Sequence, residues 1–135
     1  MGSISTLVFK PGEARCISTM AWFSNSVHPA FTHIARPERF IEDQNAIPAI
    51  KDMGKKNFHA ALTEIDELLA GKQWMMGTEF TACDPYALVF YAWGVRIELP
   101  MNALKNYTAF KDRMLQRPAV RKVLEREESV LLKAA

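Results

Sequence analysis

The sequence predicts an all-α domain of about five helices around a buried central one. Apolar residues recur at three- and four-residue steps over long windows, while no stretch alternates apolar with polar residues and no hairpin dipeptide joins two apolar runs. Residues 80–97, FTACDPYALVFYAWGVRI, are apolar on nearly every side after their first turn. A helix of that kind runs through an interior rather than over it. At 135 residues the chain is long enough for one core and one domain.

Residues 1–10 read as a leader or linker remnant ahead of a domain at 11–135. They hold no apolar run long enough for a secretory signal. MGSIST matches a myristoylation pattern through Gly2 and Thr6, but is read as a remnant. A first helix is expected over 11–31, with Cys16, Met20, Phe23, Val27 and Phe31 as its core stripe. Ile17, Ala21, Ser24 and His28 form an adjoining stripe of smaller or polar residues, suited to a close helix neighbour or the wall of a cleft. Pro29 should kink this helix in its last turns, because it removes a backbone donor and crowds the carbonyl four residues back. An irregular passage with one short helical turn follows, punctuated by Pro37 and Pro48.

The pattern Ile50, Gly54, Phe58, Ala61, Leu62, Ile65, Leu68 and Leu69 predicts an amphipathic helix over 48–70, ended by Gly71 as a left-handed cap. The central helix, 81–97, has the best-specified start. Thr81 can cap its free N–H groups, Asp84 can reach back to the backbone of Thr81, and Phe80 stands just outside, a capping box with Asp in the usual Glu place. Pro85 is tolerated so close to a helix start. The cap and the short apolar run exclude a membrane span, which needs roughly 18 uninterrupted apolar residues. After Pro100 a fourth helix turns Leu104, Tyr107, Phe110 and Met114 inward. Arg117-Pro118 breaks it, and Pro118 opens a fifth whose buried side is Val120, Val123, Leu124 and Leu131.

The 17 basic and 15 acidic residues leave a formal charge of +2, and the signs alternate along KDRMLQRPAVRKVLEREE. This is a solvated helix surface, not a nucleic-acid stripe or a membrane-binding face. The two cysteines, Cys16 and Cys83, stand far apart in sequence and read as reduced, buried thiols of a cytoplasmic protein. His33 and His59 have no metal-ligand spacing, so no metal site is expected. Asp84 reads as a structural cap, and Tyr86 as a core residue whose hydroxyl needs a buried partner. No residue is assigned a catalytic role.

Three stretches, VHPAFTHIARPERF (27–40), WMMGTEFTACDPYALVFYAW (74–93) and FKDRMLQRPAVRKVL (110–124), resemble the C-terminal all-helical domain of glutathione transferases, particularly the bacterial beta-like group. The resemblance covers almost the whole chain. The second stretch is its most specific part, with a glycine, a Phe-Thr cap and an Asp-Pro-Tyr at the family's spacing. It implies a detoxification enzyme in which a thioredoxin-like domain binds glutathione and this helical domain forms the pocket for a hydrophobic electrophile. No strand–helix–strand unit precedes residue 11, so the expectation is a fragment, a truncated product or a free-standing module, inactive alone. Glutathione is then a co-substrate only together with the missing domain, and the partner is a second copy or a separate thioredoxin-like domain.

By the same resemblance His28 reaches glutathione, while Phe31 and Trp93 line the co-substrate pocket. Pro29 stands where the family often has a glutathione-contacting lysine, and Ala21 where it sometimes has an asparagine. The alternative reading is a protein-interaction module, or a small-molecule binding domain without chemistry.

Overall fold

The computed structural model describes residues 11–133, so the leader expected at 1–10 lies outside the described residues. The elements are α1 (Pro11–Trp22), a π-helical turn (Phe23–Val27), α2 (His28–Ala35), α3 (Ile47–Leu68), α4 (Cys83–Arg96), α5 (Lys105–Leu115), α6 (Pro118–Arg126) and α7 (Val130–Lys133). The described residues form no strand, as the sequence predicts; an isolated bridge joins Trp74 to Gly77.

The first rod departs from expectation in a specific way. It continues to Ala35 instead of stopping at Phe31, and the disturbance comes before Pro29. There the His28 N–H donates to the carbonyl of Phe23, five residues back. Widening the helix by one residue accommodates a proline ring that would crowd a regular turn. Phe23 and Val27 are fully buried, whereas Ile17 is 54% exposed.

Gly54 lets α2 and α3 approach closely. A Cβ there would stand 2.9 Å from the His33 Cβ and 3.0 Å from the Ala30 carbonyl oxygen. Gly94 on α4 is also crowded, but its nearest neighbour is the Met101 sulfur. Met101 is flexible and can move aside, whereas the α2 backbone cannot. Gly54→Ala should therefore cost about 1–3 kcal/mol by overpacking, while Gly94→Ala should come out nearer neutral because alanine also raises helix propensity. Urea unfolding of the two variants checks this. Equal losses would mean that the α2–α3 contact is not rigid.

The central helix carries the cap that the sequence predicts. The Asp84 carboxylate accepts the Thr81 backbone N–H at 2.7 Å, and the Thr81 hydroxyl accepts the Cys83 N–H at 3.3 Å. Asp84 does one thing more. Its other oxygen accepts the Met75 N–H at 2.8 Å, pinning the connector to α4. Gly77, at φ +106, turns that connector, and the Arg117 guanidinium lies 3.8 Å from the centroid of Phe80. A second remote carboxylate, Asp66 on α3, accepts the Tyr107 N–H at 2.7 Å and satisfies the first turn of α5.

Several expectations need correction. The central helix covers Cys83–Arg96 rather than 81–97 and is not buried all round, since Pro85 and Arg96 are exposed and Val89 is 41% exposed. Opposite that face, on α6, Val123 is 52% exposed rather than buried. An apolar cleft separates the two helices, and no described residue fills it. Leu68 is also exposed, because α3 ends there and Leu69 takes the inward position. The fifth helix breaks at Glu128, whose φ is +50, before Ser129 accepts the Leu131 N–H and restarts it as α7.

Cys16 and Cys83 are neighbours in space, with their sulfurs 3.4 Å apart between α1 and the start of α4. Burial, reinforced by the Cys16 contact, pushes the Cys83 thiol up to about 12. At pH 8 it stays protonated and unreactive. Iodoacetamide should alkylate the half-buried Cys16 well before Cys83 in the native chain, and both alike in urea. Peptide mass spectrometry reads the ratio, and rapid native labelling of Cys83 would contradict this packing.

Candidate functional site

The wide turn before Pro29 delivers His28 onto the first turn of α2, facing α4. There its Nδ1 is 3.1 Å from the Tyr86 hydroxyl. The bond fixes the imidazole plane, and Nε2 makes no hydrogen bond within the described residues. Desolvation raises the Tyr86 phenol, so the hydroxyl keeps its proton at neutral pH. The Thr32 hydroxyl donates to the His28 carbonyl at 3.0 Å, steadying the same turn.

Phe31 lies one helical turn on, and its ring stacks on Trp93 with centroids 4.3 Å apart and planes 18° from parallel. His28 meets the same indole edge-on at 5.0 Å. Beneath both, the buried Phe90 contacts Trp93 at 5.6 Å and Tyr86 at 4.7 Å. The structure thus brings His28, Phe31 and Trp93 to one open cleft of about 480 Å³. Thr81 and Asp84 stand at the opposite end of α4, where they serve the cap.

Sequence reasoning missed two parts of this site. Tyr86 reads as a core residue and its ring does pack on Phe23 and Phe90, but its hydroxyl bonds His28. Its place four residues before Phe90 and seven before Trp93 sets all three on one face of α4, a signal readable from spacing alone. Arg36, Arg39 and Arg96 also line the cleft. They come from the end of α2, the turn after it and the end of α4, and no local pattern announces that these meet.

A second cleft, about 470 Å³, follows the exposed side of α4 against α6 and is lined by Phe80, Pro85, Val89, Val120 and Val123 among others. Among the described residues no group of three or more His, Cys, Asp or Glu side chains could hold a metal ion. No described helix is long and apolar enough to cross a membrane.

No family model matches the chain. It is 27% identical over 113 residues to glutathione S-transferase GstA of Escherichia coli O157:H7, covering 84% of this chain and 53% of that protein. Its fold is similar to a glutathione transferase homologue from Sulfitobacter with bound glutathione, at a TM-score of 0.81 and 20% identity over 90% of this chain and 59% of that one. It is also similar to a beta-class glutathione S-transferase of Sphingomonas chungbukensis, at a TM-score of 0.75 and 25% identity over 93% and 59% of the two chains. The chain spans about half the length of the curated relatives it matches. It is a helical, glutathione-transferase-like domain with the fold of the C-terminal part of those proteins.

Proposed function

We propose that this chain forms the hydrophobic co-substrate pocket of a glutathione-transferase-type protein, with a thioredoxin-like domain holding the glutathione. The observation that carries the reading is the Phe31–Trp93 stack with His28 at its edge. The half-buried Trp93, backed by the buried Phe31, offers an apolar contact, and the imidazole beside it presents a polar atom to a ligand. Glutathione supplies the nucleophilic sulfur. His28 fits a role in orienting it, since Tyr86 holds Nδ1 and leaves Nε2 to bond a substrate atom. Pro29, beside it, has no donor to add.

The cleft between α4 and α6 is where a thioredoxin-like domain would settle, being apolar and open. In this reading the isolated chain binds aromatic electrophiles but does not turn them over.

The test is calorimetric titration with a neutral aryl halide, followed by an assay of its conjugation to glutathione with and without an added glutathione-binding thioredoxin-like domain. Binding is expected, weakened about tenfold by Trp93→Ala, which is about 1.4 kcal/mol. Conjugation above the uncatalysed rate should require the added domain. Catalysis by the chain alone, or binding indifferent to Trp93→Ala, would sink the proposal.

A further inference from the structure

We propose that the cleft selects ligands that end in an anion: an apolar body lies against Trp93, and a carboxylate or sulfonate reaches Arg36, Arg39 and Arg96. This deepens the reading above and rests on it. Arg36, Arg39 and Arg96 line one cavity, and no Asp or Glu lines it with them. Among the described residues the ion pairs are Lys111–Asp112 and Arg121–Glu125, so none of the three arginines is neutralised by a carboxylate.

The competing account is that these arginines serve the helix ends. Arg36 follows the last turn of α2 and Arg96 closes α4. A helix C-terminus carries about half a negative charge. Two such ends therefore offset only about one of three positive charges, and roughly two remain facing the cleft. Guanidinium groups present paired donors that match the two oxygens of a carboxylate or sulfonate. An anionic end group among these like charges is favoured over a neutral one.

Either a charged co-substrate or the carboxylates of glutathione could supply this anion, and the inference commits to the co-substrate. Calorimetric titration of the full chain with 1-naphthalenesulfonate, neutral 1-naphthalenesulfonamide and glutathione separates the cases. The sulfonate should bind about tenfold more tightly than the sulfonamide at low salt, with the difference shrinking toward 1 M salt as screening shortens to about 3 Å. A triple Arg36→Gln, Arg39→Gln, Arg96→Gln variant should lose that preference and keep its sulfonamide affinity, which also certifies that it is folded. Equal binding of the two naphthalenes by the native chain overturns the inference, as does a triple variant that loses affinity only for glutathione. If neither naphthalene binds, the pocket reading itself falls.

Discussion

Asp84→Ala is expected to lower the stability of the chain by about 4 kcal/mol, enough to unfold much of a domain whose total is about 5–15 kcal/mol. The carboxylate is fully buried and accepts backbone N–H groups from both Thr81 and Met75. Alanine leaves both donors without an acceptor, and an unpaired buried donor costs about 1–3 kcal/mol. Asp84→Asn should lose about half as much, since one amide oxygen remains to accept while its NH2 faces the other donor.

These two variants also report on charge. Burial raises the Asp84 pKa above its ordinary 3.8, while the Thr81 and Met75 N–H groups and the Arg117 charge draw it part of the way back. A carboxyl whose pKa is higher folded than unfolded binds its proton more tightly in the native state. Its contribution is therefore largest in acid and declines as the pH rises through the raised value. The stability gap between wild type and Asp84→Asn should narrow over that rise, and the subtraction removes the other titrating groups. Urea unfolding across the acidic range measures it. A gap that widens with pH would show that the hydrogen bonds outweigh desolvation.

Phe90→Ala should have an effect of similar size, about 3–5 kcal/mol, by opening a cavity that the surrounding rings cannot collapse into. Phe90 is fully buried, with Phe23 edge-on at 5.2 Å and Phe58 at 6.3 Å. It also backs the cleft, since Trp93, Tyr86 and His28 all lean on it. The variant should consequently lose aryl-halide affinity as well as stability, and Phe90→Leu should restore most of both. A loss below about 1 kcal/mol would mean that this ring does not organise the core.

How much of this could be read in the sequence depended on whether the determinant was local. The Thr81–Asp84 cap, the left-handed Gly71 and the Arg117–Pro118 break each lie within four residues, and each stands where the pattern placed it. His28, Phe31 and Trp93 were nominated by resemblance, and their meeting is a fact of tertiary packing that periodicity does not contain. The apolar count of α4 misled for a related reason. Hydrophobicity reports what a helix face can bury, and Val89 and Val123 face an open cleft that no described residue fills. Remote capping by Asp66 and the Met75 contact of Asp84 were invisible because the partners lie 41 and 9 residues away.

The single surplus residue in the first rod acts as a phase shifter. Cys16 and His28 both reach α4, at Cys83 and Tyr86 respectively. On an unbroken α-helix, positions twelve apart point about 120° away from each other, and both could not address one partner. Absorbing one residue in the bulge makes the interval count as eleven, which returns the two side chains to within about 20° of the same heading. Excising one residue from Phe23–Val27 would remove the bulge and keep that heading, whereas straightening the rod with all its residues in place would swing one of its ends off α4 and uncouple the thiol contact from the imidazole contact.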